Sequence, residues 1–335
     1  MKKLILLILS FIGFIPLGVA QDYTFANHNI VPFSINPAFV GNANAIRLGL
    51  NYRMQWPTLG NNYHTIRASY DMNFYKKMCS LGLSFAHDNM ANGTIKTNEI
   101  ALAYGHNISL SEKMSIRLGV QASLFINSYG PGVTFGDQYD WGTGDIFSNT
   151  TENYENAGIT FADFSAGVLY SIHNLLNLGF SVYHLGEPEN GILAESDNTL
   201  HRKFVVHGNF YQDLQSSNGL WGREDLSDRY LFVNVAFQSQ YNFMQGYLGT
   251  GVILSPLIGG IALKSDFDNI NNIAFMVGAT IKNFQIYYVY DLFTSKKKNG
   301  SWSQELSLIY VINRKEKFPC EFFYNVNSRK AAIED

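Results

Sequence analysis

Charge is scarce in this chain. Lys, Arg, Asp and Glu together make up 15% of 335 residues, against roughly 25% in soluble domains, so the chain needs an apolar solvent, a very large core, or both. Cysteine is nearly missing as well. Cys79 and Cys320 stand far apart with no CxxC or metal-ligand spacing, which leaves no redox or metal site to read from them. Basic residues do not gather beyond Lys296-Lys297-Lys298, and the formal charge is −3, so nucleic acid has no electrostatic footprint here. The eight histidines, at 28, 64, 87, 106, 173, 184, 201 and 207, show no HExxH spacing and read as lumen or interfacial residues. After Ala20 no apolar run approaches the roughly 20 residues of a membrane helix. A membrane life then requires a closed β-barrel, because only a closed sheet satisfies its own backbone in lipid.

What is present points the same way. Aromatics reach 15%, with 20 Tyr and 25 Phe. Lys2 and Lys3, an apolar run from Leu4 to Val19 and small residues up to Ala20 lay out a secretory signal peptide, 1–20, with cleavage expected after Ala20. From 45 to 313 the chain alternates. In 114–126, Met114, Ile116, Leu118, Val120, Ala122, Leu124 and Ile126 form one face, and Ser115, Arg117, Gly119, Gln121 and Ser123 the other. A period of two excludes amphipathic helices as the main element, and strands of about 10 residues with this dyad suit a tilted membrane strand. The predicted strands are 45–54, 63–72, 78–87, 95–106, 113–127, 159–172, 176–184, 201–212, 230–240, 245–255, 258–265, 272–282, 283–292 and 302–313. The fold class is therefore all-β, a transmembrane antiparallel β-barrel of about 14 strands. Tyr and Trp near strand ends, such as Tyr52, Trp56, Tyr183, Tyr230 and Tyr287, are expected to form interfacial girdles.

With both termini in the periplasm, odd-numbered connections face outside. The long connections 128–158 and 185–200 obey the rule of long outer loops, whereas 213–229 falls on the periplasmic side. Inward positions carry Arg117, Gln121, Asp291 and Glu305, a sparse mixed-charge set that must pair or face water; it reads either as a network filling the barrel or as a polar pore. Asp137, Asp140, Asp145 and Glu152 in the 128–158 loop are hard oxygen ligands of the kind Ca²⁺ takes, but lack EF-hand spacing and read first as a solvated acidic loop. No serine, histidine and carboxylate are brought together by spacing, so an enzyme is not expected, and no cofactor is implied. The segment 314–335 carries Phe318, Phe322, Phe323 and Tyr324, a concentration that a polar tail would not need, and is expected to dock on the barrel rim or a partner.

Before the first strand lies Ser34-Ile-Asn-Pro-Ala-Phe-Val-Gly-Asn42. Pro37 removes a donor and Gly41 permits positive φ, so the segment is turn-rich and is expected at the periplasmic mouth. Asn36-Pro37-Ala38-Phe39-Val40-Gly41 followed by Tyr52-Arg53-Met54-Gln55-Trp56 resembles the N-terminal signature of the PorP/SprF family of type IX secretion proteins. Asp163-Phe164-Ser165-Ala166-Gly167-Val168-Leu169-Tyr170, Tyr183-His184-Leu185-Gly186-Glu187-Pro188 and Gln304-Glu305-Leu306-Ser307-Leu308-Ile309-Tyr310 extend the resemblance through about 313. It implies a barrel in the bacterial outer membrane that works with periplasmic proteins of the type IX secretion and gliding machinery and with secreted adhesin cargo. On that reading 21–44 is a periplasmic N-terminal segment, 45–313 the barrel in outer-membrane lipid and 314–335 a periplasmic tail. Asn36, Pro37, Ala38, Phe39, Gly41, Tyr52, Arg53, Gln55, Trp56, Phe318, Phe322 and Phe323 are its candidate partner contacts. The alternative is a porin-like diffusion channel, for which Arg117, Gln121, Asp291 and Glu305 would line the pore.

Overall fold

A computed structural model describes the chain from Asp22 to Asn313, apart from residues 29, 32–33, 44, 60–61, 131–132, 134, 141, 148–157, 174, 193–198, 215–228, 268 and 295–301. The signal segment, the tail with Phe318, Phe322 and Phe323, Glu152 and most of 213–229 lie outside the described residues.

Fourteen strands run β1 (Ala45–Gln55), β2 (Tyr63–Phe74), β3 (Cys79–Met90), β4 (Ile95–Ser109), β5 (Met114–Tyr129), β6 (Gly158–Ile172) and β7 (Leu176–Tyr183). They continue with β8 (Lys203–Asp213), β9 (Arg229–Gln240), β10 (Phe243–Leu254), β11 (Leu257–Ser265), β12 (Ile270–Ile281), β13 (Phe284–Phe293) and β14 (Trp302–Asn313). Each meets one predicted strand, with ends shifted by no more than three residues. All neighbours are antiparallel, and β1 pairs with β14 from Ala45 opposite Asn313 to Gln55 opposite Ser303. Closure removes both sheet edges, which is what a strand protein in hydrocarbon requires.

The dyad sorts side chains as the pleat demands. On β5, Ser115, Arg117, Gln121 and Ser123 are buried inside, while Leu118 and Val120 are 47% and 53% exposed on the outer wall. Polar residues are in and apolar residues are out, the inverse of a soluble domain and the arrangement lipid favours. One expectation fails here: Tyr183, Tyr230 and Tyr287 are buried inside rather than in a girdle. Each has the inward parity of its strand, and parity rather than ring chemistry decides the face. Tyr52, Tyr70 and Tyr288 have the outward parity.

The two ends of the barrel differ. The end that holds Trp56 carries the connections 130–157 and 184–202, whereas the other is closed by short turns such as 110–113 and 255–256, with 214–228 as its one long connection. Long loops mark the outer end. The eleven residues of β1 climb about 36 Å along the strand, so Ala45 lies at the inner end and Gln55 at the outer.

Leu102 is 57% exposed at the middle of β4, and Leu110 is 54% exposed in the turn after it. Leu102→Arg is expected to lower stability by about 2 to 4 kcal/mol and Leu110→Arg by about 0 to 1 kcal/mol. Denaturant titration of the protein folded into vesicles checks this, and equal costs at the two positions would contradict the assigned membrane face.

Candidate functional site

The segment expected below the barrel lies inside it. Phe25, Ile30, Val31, Ile35, Ala38, Phe39 and Val40 are each 7% exposed or less, and most of them pack with inward apolar residues such as Leu169, Val205 and Val289 into a core within the lumen. The physical reason is volume. Fourteen strands enclose more space than their own side chains fill, and an apolar stretch beside that space gains by entering it.

The chain threads the lumen from Asp22, near the outer mouth, down to β1 at the inner end. Asp22 sits at the outer mouth beside Lys203 and His184, and Tyr23 hydrogen-bonds to Glu99. Ala26 N–H donates to Glu305 at 2.6 Å, and Ser181 Oγ donates to the Ile35 carbonyl at 2.6 Å. Asn36 Nδ2 then donates to the wall carbonyls of Val168 and Phe180, at 3.0 and 3.3 Å, and meets His207 Nε2 at 3.0 Å. Its Oδ1 accepts the Ala38 N–H at 2.9 Å, capping the single 3-10 turn Pro37–Phe39. Phe39 packs on the His207 ring, with centroids 5.0 Å apart. Gly41 has φ +64, and its N–H donates to Asp71 at 2.7 Å. The chain then turns into β1.

Irregular backbone inside a barrel exposes polar groups that no ladder satisfies, and charged wall residues take that task here. Arg117, 1% exposed, donates to the carbonyls of Ala38 at 3.2 Å and Val40 at 2.6 Å and to Ser80 at 3.1 Å. Such charge-assisted bonds are the strong ones. Asp71 holds Arg47 with one oxygen, at 2.7 Å, and the Gly41 N–H with the other. Asp291 joins Arg53 at 3.2 Å, Asn272 at 3.0 Å and Lys264 at 3.8 Å, while Glu305 is 3.7 Å from Arg53. Gln121 donates to Ser123 at 3.0 Å, next to Glu99. Close approach also shapes the wall. A Cβ on Gly119 would stand 2.2 Å from the Ala38 nitrogen, so only glycine lets the segment lie against β5.

Apart from Phe318, Phe322 and Phe323, which lie outside the described residues, each candidate site residue has a place. Arg117, Gln121, Asp291 and Glu305 all line the interior, where Arg117 and Glu305 hold the threaded segment and Asp291 and Gln121 support neighbouring charges. Asn36, Pro37, Ala38, Phe39 and Gly41 are buried in the lumen, which corrects the reading of 21–44 as a periplasmic segment carrying accessible partner contacts. Tyr52, Arg53, Gln55 and Trp56 lie toward the outer end of β1, a second correction that follows from the length of the strand. Tyr52 hydrogen-bonds His64 at 2.8 Å, Arg53 belongs to the lumen network, and Trp56 packs edge-on against Tyr63 and Phe293. In the outer loop, Asp140 accepts the N–H groups of Gly142 and Thr143, and these bonds hold its carboxyl below the usual carboxylate range. Among the described residues no three His, Cys, Asp or Glu side chains form a metal-holding group.

Sequence reasoning missed Asp71, Glu99, Arg67 and the latch at the outer mouth. In the latch, His184 Nδ1 meets Asp163 at 3.0 Å, its Nε2 meets Asp22 at 3.0 Å, and Lys203 pairs with the same Asp22 oxygen. For the strand residues among them, Arg67, Asp71, Glu99, Asp163 and Lys203, the signal was polar parity; Asp22 and His184 lie outside the strands and carried none, and partners are up to 181 positions apart.

The match to a known family bears on what such a plugged barrel serves. The sequence profile described as type IX secretion system membrane protein PorP/SprF matches residues 18–310. The chain belongs to the PorP/SprF family. No curated protein matches this PorP/SprF protein. Among solved structures it is similar to a TodX deltaS2S3 mutant, a monoaromatic hydrocarbon channel, with TM-score 0.50, 9% identity, and coverage of 87% of this chain and 95% of that one. It is also similar to the Ralstonia pickettii toluene transporter TbuX (TM-score 0.47, 9% identity, covering 88% and 94%) and to Acinetobacter baumannii Omp33 (TM-score 0.44, 6% identity, covering 81% and 100%). At such identities the likeness concerns the barrel fold alone.

Two expectations follow from the plug. The intact protein is expected to give no steady conductance in planar bilayers, whereas deletion of residues 22–40, which removes the core inside the lumen, is expected to open a stable pore. Steady conductance from the intact protein, or none from the deletion, would contradict an occluding plug. The latch adds a pH dependence. Burial alone would depress the His184 pKa, but the charge of Asp22 and the hydrogen bonds that the imidazolium donates to Asp163 and Asp22 outweigh it and raise it to about 9. Its imidazolium form therefore stabilises the folded state fully below the ordinary value near 6.5 and ceases to as pH rises through about 9. Proteolysis of the segment ahead of Asn36 is expected to accelerate between about pH 7 and about pH 10, and His184→Gln is expected to flatten that response.

Proposed function

We propose that this PorP/SprF protein is a non-enzymatic component of the type IX secretion and gliding machinery. It binds periplasmic ring or translocon proteins, or the C-terminal sorting domains of cargo, and supports export or surface anchoring of adhesins. The observation that carries the reading is membership of the family along residues 18–310. The filled lumen supports binding over conduction: a barrel whose interior is packed with its own chain presents rims and surfaces to partners rather than an aqueous path. The diffusion-channel alternative has the same observation against it. In this proposal the partner contacts move away from Asn36–Gly41, which serve the plug, to the inner rim, where the aromatic tail residues Phe318, Phe322 and Phe323 remain the candidates.

Deleting the gene is expected to abolish display of adhesins at the cell surface, measured by antibody labelling of whole cells, with restoration by the intact copy. Photo-crosslinking from positions 318 and 322 is expected to capture a periplasmic machinery protein or a cargo sorting domain. Adhesin display unchanged by the deletion would refute the export role, and crosslinks confined to the barrel itself would refute the tail as the contact.

A further inference from the structure

The plug does not reach the full height of the barrel wall. Above it, at the outer end, lies a cavity of about 690 Å³ whose lining includes plug residues Asp22, Tyr23 and Phe25 and the wall residues Phe125, Phe161 and His184. This volume falls within the roughly 300 to 1,000 Å³ of small-molecule sites. Because the plug closes its lower end, the cavity is a blind cup, suited to holding a ligand rather than passing one.

Its wall carries two aromatic platforms. Phe125 and Phe161, partners across β5 and β6, stack with centroids 5.2 Å apart at 14°, and His201 and Tyr241 stack at 4.3 Å and 9°. Beside the first platform the polar groups are acceptors in need of donors. Asp163 Oδ1 and Asn127 Oδ1 are buried without a hydrogen-bond partner among the described residues, and both side chains line the cup. The cationic side chains at the cup are already engaged: Arg67 with Glu99 and Tyr23, Lys203 and His184 with Asp22. The matching ligand therefore supplies hydroxyl donors and a flat C–H face for an aromatic ring. Buried acceptors reward such donors because leaving them unmade is costly, and an aromatic face attracts the positive edge of C–H groups. An anionic ligand fits less well, since the four carboxylates at the cup, Asp22, Asp88, Glu99 and Asp163, would repel it and the cations Arg67 and Lys203 are already paired with two of them.

We propose that this cup is a saccharide-binding site facing the cell exterior, with Phe125 and Phe161 as the stacking platform and Asn127 and Asp163 as hydroxyl acceptors. The assignment is independent of any role in export.

The test is calorimetric titration of the full mature protein, in an amine-oxide detergent without a sugar headgroup, with maltohexaose, cellohexaose and laminarihexaose. Saturable binding of at least one hexasaccharide with Kd below about 1 mM is expected. Phe161→Ala is expected to weaken it about fivefold, and Asn127→Leu to weaken it about tenfold. Leu248→Ala on the lipid face is expected to leave it unchanged, with heat-modifiable electrophoretic mobility confirming that each variant is folded. Three results overturn the proposal: no saturable binding of any hexasaccharide up to about 10 mM, binding indifferent to both cup variants, or tighter binding of pentalysine or toluene than of every sugar.

Discussion

The hydrogen bonds from Arg117 to the Ala38 and Val40 carbonyls are the interaction on which the interior depends. A guanidinium facing the lumen needs acceptors, and a chain without regular structure needs donors. Each requirement answers the other. Asp71 and Glu305 repeat the arrangement with the sign reversed, accepting the N–H groups of Gly41 and Ala26. A sparse set of charges thereby replaces the ladder that a plug without strands cannot form, and most of the apolar side chains between them supply the burial.

Buried ion pairs are weak grounds for stability, because desolvation offsets much of the attraction. Their value here lies in placement. Asp291 draws in Arg53 from β1 and Lys264 from β11, strands that do not pair with β13, and Asp71, opposite Arg47 in the β1–β2 register, ties the wall to the plug backbone. The same logic explains why the barrel is filled low and hollow high. Apolar plug residues end near Phe25, where Asp22 meets His184 and Lys203, and beyond that point polar and aromatic wall side chains line an open cavity.

The architecture was legible because alternation is a local property. Met114 to Ile126 reads as a two-faced strand whatever surrounds it, and the spacing of such stretches delivers fourteen strands and the parity of their connections. The lumen set Arg117, Gln121, Asp291 and Glu305 was legible for the same reason. The plug was not. Asn36 to Gly41 looks equally turn-rich at a periplasmic mouth or inside a lumen, and it is the packed wall, with glycines such as Gly119 against Ala38 and Gly167 against Asn36, that distinguishes the two. Tyr183, Tyr230 and Tyr287 were misjudged because ring chemistry was allowed to outweigh strand parity.

What the amino-acid order determined by itself is therefore everything that repeats at period two: strand number, inward and outward faces, and the need for a closed sheet in lipid. Tertiary structure alone decided which polar residues meet, such as Asp22 with Lys203 or Ala26 with Glu305, and that the leading segment enters the barrel. The physical reason is that enclosure by fourteen strands creates a space, and a demand for hydrogen-bond partners within it, that no single stretch of chain possesses before the sheet closes.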